Sequence, residues 1–146
     1  MGTIKLGFTP TVINLIVLPN AIIWRYLGND CRLLTQCGQP DKTALQANGQ
    51  EGFLIYGPYV QLPAGHYVAR LSLTAHAALS GAWADVSGAG GTQPFARLDV
   101  SLIPDQITEA VMTFELKVNC DDIEVRLWVP KGADLAVQSL VIEAID

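Results

Sequence analysis

The sequence predicts an all-β chain, an antiparallel two-sheet β-sandwich of jelly-roll type. Three observations carry that expectation. Short apolar or alternating runs recur every ten to fifteen residues, Gly and Pro clusters punctuate them, and no stretch longer than two turns shows helical periodicity. Short strands at that spacing, separated by turn signals, are the pattern of sandwiches and barrels.

In residues 12–18, VINLIVL, both alternating faces are largely apolar, which predicts a strand covered on both sides. A Pro19-Asn20 turn and a second apolar run through Ile22, Ile23, Trp24, Tyr26 and Leu27 follow. An exposed strand so apolar would aggregate, so either the rest of the domain or another chain must cover it. Trp24 and Tyr26 share one face and read as core or contact residues. Short strands are expected over residues 33–36 and 43–47, separated by Gly38-Gln39-Pro40-Asp41 as a loop.

Residues 51–75 are the clearest stretch. Phe53, Leu54, Ile55 and Tyr56 form a short run, Gly57-Pro58 breaks it, and a second short run leads to Leu62-Pro63-Ala64-Gly65. That tetrad predicts a turn because Pro presets one dihedral and Gly accepts a positive one. From His66 onward Tyr67, Ala69, Leu71, Leu73 and Ala75 fall on one face while His66, Arg70, Ser72, Thr74 and His76 fall on the other, the period of a half-buried strand.

Four more strands follow. Over residues 82–87, Trp83, Asp85 and Ser87 share one face and Ala82, Ala84 and Val86 the other; the loop of residues 88–94 is rich in glycine. Ala96, Leu98, Val100 and Leu102 then alternate with Arg97, Asp99 and Ser101, and Met112, Phe114, Leu116 and Val118 with Thr113, Glu115 and Lys117. Ile123, Val125, Leu127 and Val129 alternate with Glu124, Arg126 and Trp128 before Pro130-Lys131-Gly132 turns the chain into a final run over residues 136–145.

The 146 residues fit one domain, 1–146, large enough to bury a core without staples. Half of them are hydrophobic and 16% are charged, against about 25% in ordinary soluble domains, which points to a surface that is uncharged or covered, by a partner or by a self-contact in a homo-oligomer. A net charge of −5 gives no attraction for a phosphate backbone or an anionic lipid surface, so nucleic acid is not an expected partner. Cys31, Cys37 and Cys120 make an odd count without metal-ligand spacing. Cys31 and Cys37 could bridge a short loop, but three separate small hydrophobes are the preferred reading. Residues 11–23 are interrupted by Asn14, Pro19 and Asn20 and fall short of the ~20 apolar residues of a membrane span, and no signal peptide is expected.

Several of these pieces resemble one family. Glu51-Gly52, Tyr56-Gly57-Pro58-Tyr59, Leu62-Pro63-Ala64-Gly65-His66-Tyr67, Leu98-Asp99-Val100 and Ile123-Glu124-Val125-Arg126-Leu127 together look like the galactose-binding-like β-sandwich of carbohydrate-binding modules, in particular those appended to bacterial sugar-processing enzymes. The resemblance covers residues 32–146 and leaves residues 1–30 outside as an apolar N-terminal segment. It implies a non-catalytic module that binds a glycan or oligosaccharide, although relatives of the fold also bind calcium or protein.

A sugar ring offers an apolar face and a rim of hydroxyls, so its site needs an aromatic platform flanked by carboxylate or guanidinium groups. If residues 82–87 and 96–102 pair as a hairpin, Trp83, Asp85, Arg97 and Asp99 meet on one sheet face: a stacking plate, two hydroxyl acceptors and a donor. The plainer reading is a Trp over a second core layer beside an Arg–Asp surface pair. Trp128 with Glu124 and Arg126 forms a second group, which could equally pack beneath the N-terminal segment or against a neighbour. Tyr56 and Tyr59 flank the Gly-Pro break, where loop-tip sites form, or are structural.

Asp121 and Asp122, with Glu51 or Asp146, supply oxygens of the kind calcium takes, but no defined loop motif surrounds them, and a solvated turn explains them as well. No cofactor is expected. His66 and His76 read as surface groups. The Gly-rich loop has Gln93 where a dinucleotide fingerprint needs its last glycine, and neither a P-loop nor a nucleophile elbow is present. The alternative to a glycan-binding module is a self-associating structural module using its hydrophobic N-terminal segment.

Overall fold

A computed structural model describes residues 22–145. They form eleven strands: β1 (Ile23–Leu27), β2 (Gly38–Asp41), β3 (Ala44–Ala47), β4 (Gly52–Ile55), β5 (Pro58–Leu62), β6 (Gly65–Ala75), β7 (Leu79–Gly88), β8 (Gln93–Leu102), β9 (Ile107–Leu116), β10 (Cys120–Val129) and β11 (Leu135–Ile145). One 3-10 turn, Ala89–Gly91, joins β7 to β8.

All pairings are antiparallel and fall into two sheets. The first has the order β2-β3-β11-β6-β9 with β1 also beside β11; the second has the order β4-β10-β7-β8 with β5 also beside β10. From β6 onward the chain crosses between sheets repeatedly: β6 lies in the first, β7 and β8 in the second, β9 in the first, β10 in the second and β11 in the first. That exchange is the sandwich the strand spacing predicts.

Period-two alternation decides which side of each strand is sealed. Ala69, Leu71, Leu73 and Ala75 of β6, Ile123, Val125, Leu127 and Val129 of β10, and Ala82, Ala84 and Val86 of β7 are buried between the sheets. Each Leu, Ile or Val so enclosed contributes about 1.5–3 kcal/mol by leaving water. Opposite these residues on the second sheet lie the side chains of the candidate site.

Three local expectations are corrected. Gly38–Asp41 is strand β2, paired with β3 from Gly38↔Ala47 to Asp41↔Ala44, and not a loop. Pro40 is tolerated because β2 is the outermost strand, where a missing N–H breaks no ladder on the open side. Residues 33–36 form no strand; Leu34 makes one isolated bridge to Tyr56. Val118 leaves the inward set because β9 ends at Leu116, so its side chain is exposed in the connection to β10.

The three cysteines are free, Cys31 exposed, Cys37 buried and Cys120 half-buried, so Cys31 and Cys37 do not bridge. Trp24 packs inward with its ring 6.2 Å from that of Tyr67, and Tyr26 is buried in the core. Ile22, just before β1, and Ile23 and Leu27 within it are exposed. The predicted strand over residues 12–18, its Pro19-Asn20 turn and Asp146 lie outside the described residues. Among the described residues no helix is long and apolar enough to cross a membrane.

Candidate binding platform

β7 and β8 pair across the Gly-rich turn as the alternation predicts, with Trp83↔Asp99 and Asp85↔Arg97 in register. On its other side β7 pairs with β10, placing Trp128 opposite Trp83, Arg126 opposite Asp85 and Glu124 opposite Ser87. The two groups the sequence left separate are therefore adjacent columns of one sheet face. β4 adds Phe53 opposite Trp128, and the β5 register of Pro58 with Glu124 brings Tyr59 alongside.

The aromatic rings and guanidinium groups interleave. The Trp83 and Trp128 rings lie nearly parallel, 12° apart in plane with centroids 6.5 Å apart, and Phe53 meets Trp83 edge-on at 5.6 Å. Arg97 sits over the Trp83 ring at 4.2 Å, and Arg126 sits over Phe53 at 4.7 Å and 5.8 Å from Trp83. Cation–π contacts of this kind contribute about 0.5–1 kcal/mol each where exposed and more where dry. Both indoles are only half-buried, so the face is an open array and not a closed second core.

Arg126 is fixed from below. Its Nε donates to Asp85 Oδ1 at 2.9 Å and its Nη2 to Asp85 Oδ2 at 2.6 Å, a bidentate pair. The hydrogen bond to Asp85 pushes the Arg126 pKa up despite desolvation. The 3-10 turn passes close above it: Gly91 has φ +87, and a Cβ there would come within 2.6 Å of Arg126 Nη1. A glycine that reads in the sequence as loop punctuation is thus required by close approach.

The six residues expected to bind are distributed unequally. Arg97 and Asp99 are exposed and make no ion pair within 4.0 Å among the described residues. Trp83 belongs to the platform but has Arg97 resting on it. Asp85 differs from an open hydroxyl acceptor: it is 6% exposed and both of its oxygens hold Arg126, so it positions the guanidinium. The expected Arg–Asp surface pair across β7 and β8 is replaced by this one across β7 and β10.

Tyr59 is 42% exposed at φ 62, and burial first, then the neighbouring Glu124 carboxylate, push its phenol pKa up. Tyr56 is half-buried and exchanges both backbone hydrogen bonds with Leu34, which anchors the chain before the cis Gly57-Pro58 bond. Phe53 and Ser87 complete the face. Nothing in a short apolar run singles out Phe53, because its place beside Trp128 depends on which strand pairs with β10.

Of the oxygens considered for calcium, Asp121 Oδ1 accepts a hydrogen bond from Gln61 Nε2 at 3.1 Å, and among the described residues no three His, Cys, Asp or Glu groups converge. His66 lies 3.9 Å from Glu115 and His76 3.1 Å from Asp134, both at the surface.

Solved structures similar to this one include the C-terminal CBM6 of LamC, a marine laminarinase from Zobellia galactanivorans, at 10% identity and a TM-score of 0.56, covering 83% of this chain and 98% of that one. The carbohydrate-binding module CBM6cm-2 of Cellvibrio mixtus lichenase 5A, solved with cellotriose, matches at 9% identity and a TM-score of 0.57 over 84% of this chain and 98% of its own. The chain has the β-sandwich fold of carbohydrate-binding modules. A family 29 module extends the likeness at 11% identity and a TM-score of 0.53, covering 84% of this chain and 85% of that one. No protein-family model and no curated protein matches the sequence.

Proposed function

We propose that the chain is a non-catalytic glycan-binding module and that the outer face of its second sheet is the binding surface. The observation that carries this reading is the half-exposed array of Trp83, Trp128 and Phe53 bordered by exposed Arg97, Asp99 and Tyr59. Indole faces contact the C–H side of a pyranose, and the bordering groups exchange hydrogen bonds with its hydroxyls. That the matched modules include one solved with cellotriose supports the substrate class.

Trp128 presents the accessible apolar surface first, because Arg97 sits over the Trp83 ring and Arg126 over the Phe53 ring. When a sugar extends onto Trp83, the Arg97 guanidinium swings aside and becomes a donor next to Asp99. Asp85 and Arg126 stay in place beneath and keep the rings oriented.

Affinity electrophoresis against soluble polysaccharides, followed by calorimetry on those that retard the protein, tests the reading. Trp128→Ala is expected to reduce affinity about fivefold or more, taking stacking of a ligand ring on an aromatic side chain as about 1–3 kcal/mol. A chain that binds no glycan, or a Trp128→Ala variant that binds as tightly as the parent, sinks it.

A further inference from the structure

Three features at the inner end of the platform have no part in stacking. Ser87 Oγ is fully buried without a hydrogen-bond partner among the described residues. A hydroxyl left in that state costs folding free energy that a bound water or ligand group would recover. Glu124, opposite Ser87 in the β7–β10 register, is 3% exposed and makes no ion pair within 4.0 Å among the described residues.

The third feature is strain in the walls. Tyr59, beside Glu124, has φ 62, and Ala89, at the start of the turn that passes over Arg126, has φ 52. Both are non-glycine residues in the left-handed region, which costs energy and persists only where the surroundings impose it. The strain at Tyr59 lies next to Glu124, which pairs across β7 and β10 with the unsatisfied Ser87.

We propose that Ser87 and Glu124, the latter in contact with the Tyr59 phenol, form a hydroxyl-reading subsite that selects uncharged glycans over carboxylated or sulfated ones. This rests on the glycan reading of the platform and extends it to ligand class. A carboxylate accepts a ligand O–H, and a serine hydroxyl both donates and accepts, which together match neighbouring hydroxyls on one sugar. A ligand hydroxyl entering as the Tyr59 ring moves aside would satisfy Ser87 and replace the phenol beside Glu124.

Charge sets the selectivity. Asp85, Asp99, Asp122 and Glu124 on this side of the sheet outnumber Arg97 and Arg126, and the Arg126 charge is already matched by Asp85. A uronate or sulfate brought into this surface meets uncompensated carboxylates, and the net charge of −5 adds to the repulsion.

The full chain is to be assayed by affinity electrophoresis and calorimetry against a neutral β-glucan, a xylan and a galactomannan, and against polygalacturonate and a sulfated galactan. Expected are binding of at least one neutral polymer, no binding of the two anionic ones, and at least threefold weaker neutral binding by Ser87→Ala with an unchanged or raised melting temperature. Glu124→Gln is expected to weaken it about tenfold, and Ser87→Ala decides the matter if that variant does not fold. Neutral binding that is lost in Trp128→Ala yet unchanged in Ser87→Ala and Glu124→Gln overturns the subsite and leaves the platform standing, as would be seen if only water meets Ser87. Equal binding of polygalacturonate overturns the selectivity, and a parent chain that binds no polymer removes both proposals.

Discussion

Asp85→Ala tests whether the platform is held from beneath. The side chains of Asp85 and Arg126 are 8% and 17% exposed and share two hydrogen bonds, so removing the carboxylate leaves a guanidinium largely enclosed with no carboxylate bonded to it. Truncating one partner of a buried pair costs about 3–5 kcal/mol, mostly as the penalty of the stranded charge. Arg126 retains Phe53 and Trp83 within cation–π distance and Glu124 nearby, which places the expected loss at the lower end, about 3 kcal/mol. With a urea slope of about 1–3 kcal/mol/M for a domain of this size, the unfolding midpoint falls by about 1–3 M. The double variant Asp85→Ala/Arg126→Met removes the stranded charge and is expected to recover a large part of that loss, because an apolar replacement of the whole pair is close to neutral. Urea unfolding followed by tryptophan fluorescence reads both. A single variant within about 0.5 kcal/mol of the parent, or a double variant as unstable as the sum of its parts, refutes the buried-pair reasoning.

Two further outcomes follow from the same geometry. Gly91→Ala is expected to destabilise more than Gly90→Ala: both glycines have positive φ, which costs about 1–2 kcal/mol for an alanine, but only at Gly91 does the new Cβ press on Arg126. Equal shifts in chemical unfolding would show that the turn does not touch the guanidinium in solution. Asp30 is held at about 2 against an ordinary 3.8, chiefly by the side-chain hydrogen bond from Arg32. Its folded value is depressed, so the stabilisation is full above the ordinary carboxylate range and is lost as pH falls through about 2. The difference in melting temperature between the parent and Asp30→Asn should therefore narrow as the pH is lowered through that window. Because Arg32 is 60% exposed the difference is small, and a gap that widens with acid contradicts the sign.

Period-two patterning made the sandwich legible, since burial on one face of a strand is written residue by residue along it. Leu71 and Leu73, or Leu127 and Val129, announce the core through their own neighbours, and the β7–β8 hairpin could be inferred because its two strands lie on either side of one short turn. Gly38–Asp41 misled for the same reason: local chemistry marks Pro40 and Gly38 as loop residues, whereas an edge position makes a strand of them acceptable.

The chain's alternation thus determined the sheets, the core and the outward face of Trp83, Arg97, Asp99, Glu124, Arg126 and Trp128. Only the tertiary structure decided that these residues form one surface, that Asp85 bonds Arg126 in place of Arg97, and that Phe53 joins them. The physical reason is that strand order is set by packing between residues some forty positions apart, as Asp85 and Arg126 are, and no local period along the chain encodes which strand lies beside which.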